Sequence, residues 1–142
     1  MAREILFRAK RKDNGEWVCG DLLHPDIYGN GYAIEDFTKG KNNCFDIDEK
    51  TICQYTGLKD KNGTKIFEGD ICQFREWSKG DMCWIGEVHY EHQQYVISGN
   101  KNKECETPFT LTMSRFISED IEVIGNKFDN PELLEVQDEQ AN

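Results

Sequence analysis

The sequence predicts a mostly β protein, α+β at most, folded as a small barrel or sandwich, and three observations point there. Short runs of alternating apolar and polar residues recur about every ten residues, separated by turns rich in Gly and Asn. Only one helix start is readable, at Asn130-Pro131-Glu132, where an N-cap residue, a first-turn proline and an acid follow one another. Leu, Ile, Val and Phe make up 32 of 142 residues, close to 23%. That is just above the roughly 20% below which a highly charged chain stays disordered, so the core is sparse and the loops are generous. A chain of this length holds one domain or two very small ones.

Taken in order, Ile5, Phe7 and Ala9 alternate with Glu4, Leu6 and Arg8, a strand with one buried face. Asn14-Gly15 then predicts a type I′ hairpin turn into a strand at Trp17-Val18-Cys19. From His24 to Lys50 the signal fades, and Tyr32, Ile34 and Phe37 are left to tack a loop or short strand to the core. A clear strand follows at Thr51–Tyr55, then a second Asn-Gly turn at 62–63 and a reversal at Glu68-Gly69-Asp70. Ile71–Trp77, Met82–Tyr90 and Gln94–Ser98 read as a three-strand meander, with a turn over 78–81. Phe109, Leu111 and Met113 alternate with threonines, and Ile121–Phe128 is apolar enough at 121, 123 and 124 to be covered on both faces. Leu133, Leu134 and Val136 would pack the C-terminal helical turn onto the sheet, leaving 137–142 as a frayed tail. These elements divide into an N-terminal β-hairpin subdomain over 1–50, a barrel with its helical turn over 51–136, and the tail.

Charge is unevenly spread. The net charge is −10, yet the first twelve residues carry +4 through Arg3, Arg8, Lys10, Arg11 and Lys12 against Glu4. An acidic body repels nucleic-acid phosphates at long range, so a nucleic-acid contact, if made, falls to those five basic residues. A transmembrane helix needs about 20 mostly apolar residues in a row, and no run here approaches that. Only Ile5, Leu6 and Phe7 stand between Arg3 and Arg8, too few for a signal peptide. The expectation is a reducing, cytoplasmic setting in which the six cysteines are thiols, several of them small buried hydrophobes.

Three segments read together resemble the YopX family of phage and prophage proteins: Arg3–Ala9; Gln54-Tyr55-Thr56-Gly57-Leu58-Lys59-Asp60-Lys61-Asn62-Gly63 with Ile66–Ile71; and Ile121–Asn126 with Asn130–Leu134. The resemblance spans residues 3 to 134, loosely over 20–50 and 75–115. It implies a bacterial or phage cytosolic protein of a mobile element, an SH3-like barrel in the second half, and self-association. It brings no activity. One departure is Lys10, where similar proteins often carry an aromatic. Physically, the motif reads as turn architecture. Gly57, Gly63 and Gly69 suit sharp turns and left-handed positions, Asn62 precedes one of them, and Asp60 and Asp70 can accept backbone N–H groups. Glu68-Gly69-Asp70 is expected to be a turn fixed by the Asp70 carboxylate.

Catalytic and metal chemistry find little footing. There is no Cys-x-x-Cys knuckle for zinc, and His89 and His92, three apart on a strand, face opposite ways unless the strand ends near Glu91. Asp60, Asn62 and Gly63 misplace the glycine of a calcium loop. Cys83 with His89 or His92 lacks an orienting third group, and phosphate loops and nucleophile elbows are absent. The sequence therefore predicts no enzyme, no cofactor and no metal. It leaves two functions: a non-catalytic, self-associating module that binds a phage or host protein, or a nucleic-acid-binding barrel using the basic N-terminus and aromatics such as Trp17, Trp77 or Trp84.

Overall fold

The structure, a computed structural model, describes residues 4–28, 31–36, 38, 43–76, 82–101, 109–112 and 121–134. Trp77, Phe37, Met113, the turn at 78–81 and the tail at 137–142 lie outside them, as does Arg3. The described residues are mostly β, and the chain divides into two compact units, Met1–Gly57 and Leu58–Asn142.

In the first unit β1 (Phe7–Lys10), β2 (Trp17–Leu23), β3 (Ala33–Glu35), β4 (Cys44–Asp46) and the start of β5 (Cys53–Lys59) lie in the order β4-β3-β2-β1-β5. Alternation decides the faces. Ala9 pairs with Val18 and Ile34 with Phe45, and Ala9, Val18, Ile34 and Ile47 form the buried core. Arg8, Lys10, Trp17 and Cys19 then fall on the opposite face of β1 and β2. Ile5, read from the sequence as a core residue, is 59% exposed because it precedes the first paired position of β1. Where the sequence signal faded, β3 and β4 form a short hairpin. A bridge between Arg11 and Ile47, with Lys12 N–H to the Asp46 carbonyl (2.9 Å) and Asp48 N–H to the Lys10 carbonyl (2.9 Å), brings the end of β4 back to the end of β1. The sheet thus curls, joined at one bridge instead of a ladder.

In the second unit the end of β5 pairs with β6 (Lys65–Phe67). A five-stranded antiparallel sheet has the order β10-β9-β8-β7-β11, from β7 (Asp70–Glu76), β8 (Met82–Glu91), β9 (Gln94–Lys101), β10 (Phe109–Thr112) and β11 (Ile121–Asn126). Its core is Ile66, Cys72, Phe74, Val88, Ile97 and Ile121, with Trp84 stacked on Phe74 at 6.4 Å between ring centroids.

Two expectations need correction here. The SH3-like barrel is not closed among the described residues: β10 and β11 are the two ends of an open sheet. The reason lies on the outer edge of β11, whose groups are already taken. Lys61 N–H donates to the Ile121 carbonyl (3.0 Å), Val123 N–H to Asp60 Oδ2 (2.9 Å) and Asn126 N–H to Asn130 Oδ1 (3.2 Å). The C-terminal helix is likewise only a 3-10 turn, Pro131–Leu134, with Leu133 N–H reaching back three residues to the Asn130 carbonyl. Asn130 turns its side chain back to β11, so the amide oxygen expected to cap a helix is occupied by that strand.

The Asn14-Gly15 pair adopts a different turn from the one expected, whereas Gly63 takes the left-handed position read for it. A type I′ turn needs positive φ at both central residues, but only Gly15 (75°) and Gly63 (82°) have it, not Asn14 or Asn62. At 60–64 the Gly63 N–H meets the Asp60 carbonyl and the Asp60 N–H meets the Thr64 carbonyl, the longer hairpin loop that ends on a left-handed glycine. The two consecutive positive φ values stand instead at His92 (52°) and Gln93 (67°), joining β8 to β9.

Candidate functional site

The turn motif comes together in the second unit, and its chemistry-bearing groups point at backbone. Asp60 is 3% exposed. Its Oδ1 accepts from Asn62 N–H and Thr64 N–H, both at 2.9 Å, and its Oδ2 accepts from Val123 N–H. Burial pushes the Asp60 carboxyl up, but donation from Val123, Thr64 and Asn62, with the charge of Lys61, outweighs it and holds the group below its ordinary value. Lys61 also pairs with Glu122 on β11 at 3.3 Å. The exposed Asn62 gives only its backbone N–H to this arrangement.

Asp70, 1% exposed, accepts the Phe67 N–H at 2.8 Å across the 68–69 reversal. Gly69 (φ 85°) donates its N–H to the Val88 carbonyl and accepts from Lys127 N–H, both at 2.8 Å, so this glycine turns the chain while its peptide groups tie β8 to the turn after β11. Gly57 (φ 90°) lies within β5, in the first unit, with open space where a Cβ would stand. The motif is therefore a clasp on two strands, and both of its carboxylates are committed to amides.

The basic residues of the first unit are sorted by their neighbours. Arg11 makes a two-pronged contact with Asp13 (3.0 and 2.6 Å) and lies over Phe45, 4.3 Å from the ring centroid. The hydrogen bond from Arg11 is the largest influence on Asp13 and holds its carboxyl below the usual range. Arg8 and Lys10 stand over Trp17, at 4.7 and 5.4 Å from its ring centroid. Lys12 is exposed at the turn.

The sequence allowed His89 and His92 to converge only if their strand ended near Glu91, and that condition is met. Strand β8 ends at Glu91, and there His89 Nε2 approaches Glu91 Oε1 at 2.7 Å while His92 Nε2 lies 3.6 Å from Oε2. Ser98 Oγ is 3.5 Å from His89 Nδ1. What the sequence did not supply was Glu91 as their shared partner and the strand end itself, which depends on the turn at 92–93. Among the described residues no set of three or more His, Cys, Asp or Glu side chains is arranged to hold a metal ion. Cys53 and Cys72 are buried thiols, Cys44 is half-buried and Cys19 exposed; the Cys83 side chain lies outside the described residues. No described helix is long and apolar enough to cross a membrane.

Comparison with known proteins agrees with this architecture. No curated protein matches the chain. The crystal structure of protein EF1440 from Enterococcus faecalis is similar, with a TM-score of 0.55 and 24% identity over 94% of this chain and 100% of that one. At that identity the likeness shows a shared fold alone. A family model described as YopX protein matches residues 6–135, which takes in both units and the whole turn motif. The chain belongs to the YopX protein family.

Proposed function

We propose that this protein is a non-catalytic, self-associating accessory factor of a phage or other mobile element, acting in the bacterial cytoplasm as a binding or scaffolding module. One observation carries the reading: Asp60 and Asp70, the acids of the most distinctive segment, are buried and bound to backbone amides. A general acid or base must reach a substrate proton, and neither carboxylate is placed to do so. The small cores favour self-association, because two compact units of this size bury little apolar surface alone and subunit contacts can supplement it. Light scattering at tens of micromolar is expected to give a mass of two or more chains. A strict monomer would remove self-association from the proposal.

A second reading is nucleic-acid binding through the basic N-terminal segment, where Arg8 and Lys10 stand over Trp17. It requires no catalytic group either.

A further inference from the structure

We propose that Asn62 is a deamidation site of this protein, and that the isoaspartate formed there releases the hold of Asp60 on β11. The reaction is intramolecular and consumes only water. The Gly63 backbone nitrogen loses its proton and attacks Asn62 Cγ. The new N–C bond forms as the Cγ–Nδ2 bond breaks, and ammonia leaves with that proton. Water then opens the five-membered succinimide at either carbonyl. The product is aspartate or, where the main chain is rerouted through Cβ, isoaspartate. Nothing is oxidised or reduced.

The molecule carries its own comparison. Asn14-Gly15 and Asn62-Gly63 are the same dipeptide in exposed hairpin loops. Each glycine is left-handed (φ 75° and 82°), with open space where a Cβ would stand. Each glycine N–H is held at 3.0 Å by a backbone carbonyl, that of Arg11 in one loop and Asp60 in the other. An acid stands close to each asparagine in sequence, Asp13 and Asp60. The difference lies in the electrophile. Asn14 Oδ1 accepts the Glu16 N–H at 2.9 Å, which fixes that carboxamide in one rotamer. Asn62 gives only its backbone N–H to Asp60, and its carboxamide has no partner among the described residues, so it can turn onto the Gly63 nitrogen. Asn30-Gly31 is a third such pair in the sequence, and Asn30 lies outside the described residues.

The loop around Asn62 is fitted to Asp60. Asp60 N–H donates to the Thr64 carbonyl at 2.8 Å and Gly63 N–H to the Asp60 carbonyl. Asn62 and Thr64 N–H both donate to Asp60 Oδ1 at 2.9 Å. Isoaspartate inserts one more main-chain atom between the Asn62 and Gly63 donors. Hydrogen bonds weaken steeply away from their preferred geometry, so the four cannot all be kept. Asp60 Oδ2 then loses the support that aims it at Val123 N–H, and the outer edge of β11 is bared at that point. The new carboxylate also stands beside that of Asp60, a like charge next to a buried one.

The test is incubation of the whole protein at neutral pH and physiological temperature, with peptide mapping of asparagine loss and enzymatic methylation of isoaspartate. Asn62 should convert about two- to tenfold faster than Asn14, the factor that one side-chain hydrogen bond sustains. The two rates should converge in the chain unfolded in guanidinium. The fraction deamidated at position 62, separated by its added negative charge, should show an unfolding constant about fivefold or more above the parent's. Asn62→Gln, which keeps Asn14 and Asn30, should hold its urea midpoint through the same incubation better than the parent does. Asn62→Asp has the charge without the extra backbone atom and should be destabilised less than the deamidated chain.

Asn14 converting as fast as Asn62 in the folded protein, or a rate ratio that persists in guanidinium, would overturn the site. A deamidated chain as stable as the parent, or one no less stable than Asn62→Asp, would overturn the release of β11.

Discussion

A carboxylate that is 3% exposed and still favours its charged form must be surrounded by donors, and Asp60 meets three backbone N–H groups. Asp60→Asn keeps the shape but turns one acceptor oxygen into a donor that faces an amide. The expected cost is about 1–3 kcal/mol, read as a lower urea midpoint at pH 7. The pH dependence has a definite sign. Because the folded-state pKa is depressed, the stabilisation is complete above the unfolded value of roughly 3.9 and is lost as pH falls through the lower folded value. Urea midpoints measured from pH 7 to pH 2 should therefore fall more steeply in the parent than in Asp60→Asn. Equal acid limbs would mean that the three amide bonds do not favour the charged form. Gly20 is a second residue whose role is legible only in three dimensions. A Cβ there would land on the Glu35 backbone carbonyl, and backbone cannot swing aside as a side chain can. Gly20→Ala is expected to cost about 1–3 kcal/mol, against roughly 1–2 kcal/mol for Gly15→Ala, where space is open and only the left-handed backbone is strained. Thermal denaturation of the two variants ranks them.

Among the elements, the β7–β8–β9 meander and β1–β2 hairpin were legible because alternation and turns agreed. The β3–β4 hairpin was not, since three-residue strands cannot show a period and its core residue Ile34 is followed by acids. Asn62-Gly63 and Asn14-Gly15 did mark hairpins, but loop length overrode the dipeptide preference and selected turns with one left-handed residue. The reverse happened at His92-Gln93, where strand pairing forces two side-chain-bearing residues into the left-handed region. That turn holds removable strain. Replacing His92-Gln93 by Asn-Gly is expected to stabilise the protein by about 1 kcal/mol or more, seen as a higher melting temperature. An unchanged or lowered melting temperature would show that the His89–Glu91–His92 grouping compensates for the turn.

For the molecule as a whole, the division of the core was harder to read than its class. Alternation identifies which face of a strand is buried, not which cluster receives it, so Ala9 and Val88 look alike in sequence yet belong to separate cores. The barrel expected in the second half is not closed among the described residues for a related reason: closure depends on whether the last strand's outer edge is available, and Asp60, Lys61 and Asn130 occupy it. What the candidate site owes to sequence is similar. The motif's acids were identifiable as turn acceptors, whereas the amide of Val123 as a partner was not, because no local rule links positions so far apart. Two cores also make a kinetic statement. Amide hydrogen exchange is expected to sort the backbone around Ala9, Val18 and Ile34 from that around Cys72, Phe74, Val88 and Ile97 into two groups with different opening free energies. A single common opening energy would mean that the cores unfold as one.

The bond between Asp60 and Val123 joins positions 63 residues apart, and this affects how the protein is made. While the intervening strands are still being made, the aspartate already has two of its three amides in the chain, and β7 lacks the neighbour that β11 will become. Loop closure over such a span delays the final pairing. For that interval the nascent chain presents a bare strand edge, the surface on which chaperones act and through which half-made copies stick together.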